Sequence, residues 1–218
     1  MRRPAGGGWN PLDGAEPRRN SFKASPMNQP TAKLMVAVFD QTVCIKVNGR
    51  ADFTSSLDLK KLIGELWQRG YSHFVFELRD CRTMDSTFLG LLAGIGLRFS
   101  EGKSVQVGAP LELLNPNPRI AETLENLGVA GLFAISTCAE PLADGFEPLA
   151  HAPGETRVEL TRTCLEAHET LMSIKPENVQ KFKDVAQFLA DDLKRLEAAV
   201  GKQKEEEPAS SSKPLSSN

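Results

Sequence analysis

An acid and two hydroxyls stand directly in front of an apolar run in TMDSTFLGLL, residues 83–92. This order is typical of a helix start, because short polar side chains accept hydrogen bonds from the free amides of the first turn. We expect the Ser86 hydroxyl to act as this N-cap. A serine at the positive end of a helix can also carry a phosphate without unfolding the helix. The stretch therefore predicts a plain helix cap, at a position where the helix itself would tolerate a phosphate.

Carboxylates near this serine determine what a phosphate would do there. Asp85 directly precedes Ser86, Asp80 comes shortly before, and we expect Asp52 to lie close in space. A phosphate adds roughly −1.5 to −2 charges beside these acids, which would repel an acidic partner surface. A loss of ~2 to 3 kcal/mol of interface energy weakens binding roughly a hundredfold. A phosphate on Ser86 would therefore act on binding to a partner, without any catalysis by this chain.

No catalytic or metal-binding pattern accompanies this stretch. The histidines show neither HxxxH nor HxH spacing, the cysteines form no CxxC pair, and no GxSxG elbow supports Ser86 as a nucleophile. Asp80 and Asp85 are predicted on a loop beside solvent rather than in a cleft. We therefore expect a protein that is not an enzyme and has no metal or cofactor. The histidines and cysteines are His73, His151, His168, Cys44, Cys81, Cys138 and Cys164.

The composition limits the architecture and the classes of partner. With 218 residues, of which 40% are hydrophobic, the chain can form one domain with flanking segments. A formal net charge of −2 argues against general nucleic-acid binding. The longest apolar stretch, residues 88–99, is shorter than the ~20 residues that a bilayer span requires. The Gly-, Pro- and Arg-rich start shows no signal-peptide pattern. We therefore expect a cytoplasmic protein with reduced thiols and no membrane span.

Hydrophobic periodicity predicts the elements that position the opening stretch. Two β-branched runs, LMVAVFD and QTVCIKVNG, predict a hairpin that turns at Asp40 and Gln41. HFVFEL predicts a central strand, which Asp80 closes. Further elements are a helix from the opening stretch to about Ser100, a strand at SVQVGA, a helix at PRIAETLENLG and a strand at LFAIS. Together they predict an α/β fold with a mixed sheet of about five strands and helices packed on it.

A further helix is predicted between the hairpin and the central strand. Its apolar residues recur at helical spacing over residues 57–67. The hydroxyls of Thr54, Ser55 and Ser56 can cap its start, and Gly70 can end it. This segment therefore predicts an amphipathic helix with one face on the sheet.

Three glycines interrupt the helix that follows the opening stretch, at Gly90, Gly94 and Gly96. Each costs about 1 kcal/mol relative to alanine inside a helix. We expect close packing of this helix on the sheet to compensate for that cost.

Shifts in composition predict five consecutive regions. Residues 1–33 form a flexible basic tail, and residues 34–137 form the folded domain. Residues 138–157, rich in Pro, Gly and Ala, are predicted to be a linker. A helical extension follows over residues 158–200, and residues 201–218 are predicted to be a disordered tail.

The helical extension is predicted to be a pair of helices joined at Lys175 and Pro176, because proline suits the first turn of a new helix. Apolar residues at steps of three and four form a stripe along the second helix. This stripe packs on the preceding segment or the sheet, or alternatively forms the seam of a homodimer. Its members are Phe182, Val185, Leu189, Leu193, Leu196 and Val200.

The strand, loop and helix in ELRDCRTMDSTFLGLLAGI resemble the signature of STAS domains, the fold of bacterial anti-sigma factor antagonists and of the cytoplasmic tails of sulfate transporters. The antagonist pattern is an acid that closes a strand, then Asp-Ser-Ser/Thr-Gly-Leu-Gly. Asp80 matches the acid, and Phe88 replaces the usual glycine. Upstream, residues 49–56 look like the family's Gly-x-x-Asp-x-x-Thr/Ser-Ala/Ser turn. The remaining matches are Asp52, Asp85, Ser86, Thr87, Leu89 and Gly90.

The resemblance covers residues 34–137 and implies a function. It implies that Ser86 is phosphorylated by a partner serine kinase, and that the unmodified protein binds this kinase-type anti-sigma factor. A PP2C-type phosphatase is a further candidate partner. The partner-binding residues that the resemblance implies are Asp52, Asp80, Asp85, Ser86, Thr87, Phe88 and Leu89.

Phe88 is the main departure from the family pattern. Its ring either fills part of the docking groove or forms an exposed anchor, since interface aromatics often carry much of the binding energy. Two binding roles without phosphorylation also stay open: a STAS subunit of a lipid-transport ATPase complex, and a scaffold in a stressosome-like assembly. The transport subunits often lack the phosphorylatable serine, which this chain retains at Ser86.

Overall fold

The first two strands of the protein form the hairpin that the sequence predicts. Strand β1 (Lys33–Phe39) pairs antiparallel with β2 (Thr42–Ala51). The turn contains Asp40, whose φ of 52° lies in the left-handed region that Asp tolerates better than most residues. A computed structural model of the chain describes residues 32–100, 111–140, 142, 144–150 and 156–206.

Parallel strands extend the sheet from β2. Strand β3 (His73–Glu77) pairs with β2, β5 (Leu111–Leu114) with β3, and β6 (Ala134–Ser136) with β5, all in parallel. Strand β7 (Glu147–Pro148) pairs antiparallel with β1, which gives the order β6-β5-β3-β2-β1-β7. Strand β4 (Cys81–Met84) pairs with the end of β2 and lies off this path.

Helices flank this sheet and carry its connections. None of the helices in the described part of the chain is both long and apolar enough to cross a membrane. A 3-10 turn at Ala130–Leu132 leads into β6. The α-helices are α1 (Phe53–Gln68), α2 (Ser86–Ser100), α3 (Pro118–Leu127), α4 (Arg157–Ile174) and α5 (Pro176–Glu206).

The main hydrophobic core lies between the sheet and the helices on one of its faces. Phe74 and Phe76 of β3 and Leu92 of α2 are fully buried in it. Leu171 of α4 is also fully buried in the same cluster. Burial of each such side chain stabilises the fold by roughly 1.5–3 kcal/mol. The C-terminal extension therefore contributes to the core of the domain.

The opposite face of the sheet is covered by part of the segment that the sequence predicts as a linker. Leu142 and Phe146 pack against Cys44, Val75 and Leu114 on this face. The same segment provides β7 at the edge of the sheet. Much of the predicted linker is therefore a second, thin layer of the fold.

The predicted mixed α/β sheet with packed helices and a C-terminal helical extension is confirmed. The described sheet has seven strands rather than about five. Strands β4, β5 and β7 were not predicted, because segments of two to four residues are too short to show a period. The strand predicted at SVQVGA, residues 104–109, lies outside the described residues.

The C-terminal helices α4 and α5 form a pair, which we call the α4–α5 hairpin. They join at Lys175, and Pro176 opens α5, as predicted. Helix α5 continues to Glu206, so the helical extension is longer than the predicted end at residue 200. Residues 1–31 and 207–218, the greater part of the two predicted tails, lie outside the described part of the chain.

The apolar stripe of α5 packs mainly on α4, which is the first of the two predicted alternatives. Phe182 packs against the main core, with its ring centroid 5.3 Å from that of His168. Val185 and Val200 are exposed. The half-buried members of the stripe are Phe182, Leu189, Leu193 and Leu196. A homodimer through this helix stays a prediction.

The glycines of α2 have a packing partner other than the predicted sheet. A Cβ added at Gly90 would lie 2.3 Å from the backbone oxygen of Ala167 in α4. A Cβ at Gly96 would lie 3.1 Å from Leu132 Cβ. The prediction of close packing was correct, but the contacts are with the helical extension and the 3-10 turn, because α2 is covered by these elements on the side that the glycines face.

Candidate functional site

Asp85 connects the starts of two helices. It directly precedes α2, and its Oδ1 accepts the N–H of Phe88 at 2.8 Å. Its Oδ2 accepts the N–H of Phe53, the first residue of α1, at 2.8 Å. The N–H of Asp85 donates to the Ala51 carbonyl at 2.9 Å. The predicted cap at Ser86 is therefore wrong, because the carboxylate one residue earlier already occupies the N-cap position.

Asp52 caps the other helix. Its Oδ1 accepts the N–H of Thr54 at 3.2 Å and the Thr54 hydroxyl at 2.6 Å. Ser55 completes a capping box by accepting the N–H of Asp52 at 3.2 Å. Helix α1 therefore begins at Phe53, before the predicted residue 57. Thr54, Ser55 and Ser56 lie inside its first turn and do not occupy the cap position.

The charge of Asp52 acts on the other capping carboxylate, Asp85. Burial raises the pKa of Asp85 above its usual value, the hydrogen bonds from Phe88 and Phe53 oppose this rise, and the charge of Asp52 raises the pKa further. Two helix N-termini, each with a partial positive charge, meet at the same place. The site thus combines two acids with the positive ends of the α1 and α2 dipoles. Asp52 lies near Asp85, as the sequence predicted.

Ser86 is hydrogen-bonded to a residue far along the chain. Its Oγ lies 2.9 Å from Nε2 of His168 in α4. The imidazole is 5% exposed and also contacts the Phe182 ring. Ser86 itself is half-buried. The hydroxyl predicted as a helix cap therefore bonds to the helical extension instead.

The direction of this hydrogen bond follows from the other ring nitrogen. Nδ1 of His168 lies 2.7 Å from the backbone oxygen of Cys164, which can only accept, so Nδ1 carries a proton. In the neutral ring Nε2 then accepts, and the Ser86 hydroxyl donates to it. The histidine is oriented by a carbonyl of its own helix and lies under Phe182. This arrangement holds α4 on α2 and leaves a substrate no direct approach to the imidazole.

Thr87 also contacts α4. Its side chain is 5% exposed and lies beside the thiol of Cys164. Burial raises the pKa of Cys164, the Thr87 side chain opposes the rise, and the nearby charge of Asp85 adds to it. Thr87 is therefore covered by α4 in this conformation, and the prediction that it binds a partner requires α4 to move.

Comparison with known proteins places these residues in a family. The sequence matches the STAS domain family over residues 33–142. The chain belongs to the STAS domain family. No curated protein matches it by sequence. Similar solved structures include a candidate anti-sigma factor antagonist (tm1081) from Thermotoga maritima, at 20% identity and a TM-score of 0.41, covering 48% of this chain and 86% of the other.

Two further similar structures are those of SpoIIAA. The unphosphorylated anti-sigma factor antagonist SpoIIAA is 23% identical, with a TM-score of 0.41, and the similarity covers 50% of this chain and 90% of the other. The phosphorylated form, described as a Bacillus cell fate determinant, is 21% identical, with a TM-score of 0.39, and the similarity covers 50% and 93%. The α4–α5 hairpin begins beyond the STAS match, which ends at residue 142.

Phe88, where the STAS pattern has glycine, is fully buried in the main core. Leu89 is 2% exposed in the same cluster. Both of the roles predicted for Phe88, filling the groove and anchoring a partner, are therefore wrong in this conformation, because the ring points into the STAS core. Leu89 likewise has no surface to offer a partner.

Asp80 lies away from the other acids of the STAS site. Strand β3 ends at Glu77, so Asp80 does not close it, and Asp80 is an exposed turn residue before β4. Strand β4 separates it from Ser86, and at ~3.3 Å per residue the two positions are on the order of 15 Å apart. The predicted closeness of Asp80 to Ser86 is wrong because the loop contains an extended strand.

Phe53 is a surface residue of the site that sequence reasoning missed. Its side chain is 43% exposed, and its N–H is the one that Asp85 holds. The sequence did contain a signal, since Phe53 directly follows the capping Asp52. His168 had no comparable signal, because 82 residues separate it from Ser86.

Proposed function

We propose that this protein is a phosphorylation-controlled partner-switching regulator, as its resemblance to anti-sigma factor antagonists implies. The unmodified protein binds a serine kinase that acts as an anti-sigma factor. The kinase phosphorylates Ser86, the complex dissociates, and the kinase is free to bind another client. A PP2C-type phosphatase is the proposed partner for the reverse step. The protein itself performs no catalysis in this scheme.

The placement of Ser86 is the observation that supports this proposal. Ser86 is the first residue of α2 and follows Asp85, whose carboxylate bridges the starts of α1 and α2. A phosphate there lies at the positive end of a helix, so the domain tolerates it. It also lies beside a carboxylate, so the local surface becomes strongly negative. The modification therefore acts on a partner, and it also removes the hydrogen bond from Ser86 to His168 of α4.

The proposed partner surface contains Asp52, Phe53, Asp85 and Ser86. Phe53 supplies an exposed apolar contact, and the acids supply charge. An acidic contact surface on the partner is repelled once Ser86 carries a phosphate, and a loss of ~2 to 3 kcal/mol weakens the complex roughly a hundredfold. Thr87, Phe88 and Leu89 lie beneath this surface and support it by packing.

A role without phosphorylation is the second candidate. The hydrogen bond from Ser86 to His168 favours it, because an engaged, half-buried hydroxyl is less available to a kinase. In this case the protein is a constitutive scaffold of a stressosome-like assembly or a subunit of a lipid-transport ATPase complex. The hydroxyl then serves only to hold α4.

Binding of the kinase to charge variants distinguishes the two candidates. Wild-type, Ser86→Ala and Ser86→Glu proteins are used to capture partners from the native cells, and the affinities are then measured with the purified kinase. Ser72→Glu is the matched control, since Ser72 is exposed and directly precedes the central strand β3, at the end of the strands opposite to Ser86. Circular dichroism confirms that each variant is folded.

We expect the wild type and Ser72→Glu to bind an ATP-dependent serine kinase equally well, and Ser86→Ala, which lacks the bond to His168, to bind it at least as well. Ser86→Glu should bind it at least tenfold more weakly, because glutamate carries part of the phosphate charge. Equal affinity of Ser86→Glu and Ser72→Glu would contradict the proposal. Capture of permease or ATPase subunits by all four proteins, without a kinase, would favour the second candidate.

A further inference from the structure

The face of the domain that carries Ser86 is covered by α4 through consecutive contacts along α2. The Ser86 hydroxyl donates to His168, and the Thr87 side chain lies beside the Cys164 thiol. One turn later, Gly90 lies against the backbone of α4. These contacts involve the first turns of α2, which contain the proposed phosphorylation site. The contacts between α4 and α2 are therefore centred on the residues that a kinase must reach.

The fit of α4 on α2 depends on the absence of a side chain at Gly90. A Cβ built there would lie 2.3 Å from the Ala167 backbone oxygen and 2.8 Å from the Ala167 Cβ, closer than such atoms approach. At Gly94, one turn further along α2, a Cβ would lie 3.8 Å from the Thr170 side chain, which is an ordinary contact. The two glycines thus differ in whether a methyl group can be accommodated.

The two ends of α4 are attached in different ways. Lys61 of α1 forms an ion pair with Glu159 near the start of α4, and Lys60 forms one with Glu166, directly before Ala167. All four side chains are between 31% and 49% exposed, and ion pairs of this kind contribute little to stability. The half of α4 before the Gly90 contact is therefore attached to α1 partly by exposed ion pairs, together with the buried Thr161 and Thr163 and a hydrogen bond from the Lys60 ammonium to the Thr163 hydroxyl at 3.4 Å.

The other end of α4, at the turn of the hairpin, is attached by buried groups. Asn178 is fully buried, and its Nδ2 donates to the carbonyls of Leu127 and Leu171 at 2.9 and 2.8 Å. Leu171 itself is fully buried in the core. Movement that releases Ser86 can therefore begin at the exposed start of α4 and leave the turn of the hairpin in place.

We propose that the α4–α5 hairpin is an intramolecular cover that keeps Ser86 from the kinase until the start of α4 moves away from α2. The inference rests on the proposed function, since it concerns access to the same serine. The partner binds only the open form, so its apparent dissociation constant is the intrinsic one divided by the open fraction. Any change that raises this fraction raises partner binding and Ser86 phosphorylation together.

Substitution at the two glycines tests the cover. Gly90→Ala should separate α4 from α2, whereas Gly94→Ala adds the same methyl group to the same helix without a clash. Ala167→Leu adds bulk to the same contact from the α4 side, where Ala167 is 3% exposed. It replaces Gly90→Ala as the test variant if Gly90→Ala fails to fold. The parent and all variants carry Cys138→Ser, because Cys138 is an exposed cysteine that would react first with the maleimide used below to label Cys164.

Two readouts are compared on the full-length chain. The first is the rate at which a bulky maleimide labels Cys164, which is half-buried beside Thr87 and reports separation of the helices without any kinase. The second is the phosphorylated fraction of Ser86 in protein purified from the native cells. Cys44 and Cys81 are buried in the sheet and provide an internal check that the domain stays folded.

We expect Gly90→Ala to be labelled at Cys164 about tenfold faster than the parent, as a tenfold larger open fraction requires, and to carry more phosphate on Ser86. Gly94→Ala should match the parent in both. Equal labelling of the two glycine variants would overturn the cover, as would faster labelling of Gly90→Ala when the parent carries phosphate on Ser86 and the variant carries no more than the parent. Fast labelling of Gly90→Ala with no phosphate in any chain would support the cover and overturn the proposed function instead.

Discussion

Ser86 Oγ lies 2.9 Å from His168 Nε2, although 82 residues separate the two in the chain. One residue belongs to the STAS region and the other to the helical extension beyond it. The extension is therefore part of the candidate site. The phosphorylation proposed for this STAS domain cannot be considered apart from α4.

This hydrogen bond should be measurable as a coupling energy. His168→Ala removes a buried ring and should lower the free energy of unfolding by about 2 to 4 kcal/mol. Ser86→Ala should lower it by about 1 kcal/mol. In a double-mutant cycle the two changes should couple by about 1 kcal/mol, because both remove the same bond. Urea unfolding of the four proteins provides the values, and additivity within error would show that the bond contributes nothing.

The two acids of the opening stretch should differ in their effect on stability. Asp85→Ala leaves the amides of Phe53 and Phe88 without their acceptor, so the free energy of unfolding should fall by about 2 kcal/mol. Asp80→Ala is the matched control, because Asp80 is exposed, and its effect should stay within about 0.5 kcal/mol. Similar losses for the two variants would contradict the assignment of Asp85 as the residue that joins the helix starts.

Two phenylalanines near the site should respond in opposite ways to truncation. Phe88→Ala removes a fully buried ring and should cost about 3 to 5 kcal/mol of stability. Phe53→Ala removes a ring that is 43% exposed and should cost about 1 kcal/mol or less, while weakening the proposed kinase complex. Thermal unfolding and a binding titration separate these effects. A stable Phe88→Ala protein with impaired binding would show that Phe88 acts at the surface.

Alkaline pH should destabilise the fold through Cys81. Burial raises the pKa of its thiol from an ordinary value of 9.0 to about 11, so its contribution to stability is complete below pH 9 and is lost as the pH rises towards 11. Between about pH 8 and about pH 10.5 this loss amounts to about 2 kcal/mol. Urea unfolding at the two pH values should show a smaller loss for Cys81→Ala than for the wild type. An equal loss of unfolding free energy in both proteins would contradict the raised pKa of the Cys81 thiol.

Elements with a clear period were predicted well from the sequence. The β1–β2 hairpin and helices α3, α4 and α5 each have apolar residues at the spacing of their type, and polar or proline residues at their starts. Packing alone decides the short strands β4 and β7, which pair at the end and at the edge of the sheet. The local pattern of apolar residues does not indicate such pairings.

The candidate site was predicted in part. Asp52 and Asp85 lie together as expected, because each begins a helix at the end of a strand next to the other. The choice of Asp85 over Ser86 as the cap depends on which side chain reaches the third amide, and adjacent polar residues give no local indication of that. Contacts of Ser86 with α4 depend on the tertiary placement of a helix beyond the STAS region, so periodicity could not reveal them.

Intact-mass spectrometry of the protein purified from its native cells, with fragmentation across residues 80–98, tests the central claim most directly. We expect a subpopulation that carries one phosphate, located on Ser86, and we expect this species to disappear in Ser86→Ala. An unmodified mass across several growth conditions, or a phosphate that persists in Ser86→Ala, would contradict the switch and leave Ser86 as a structural contact to His168.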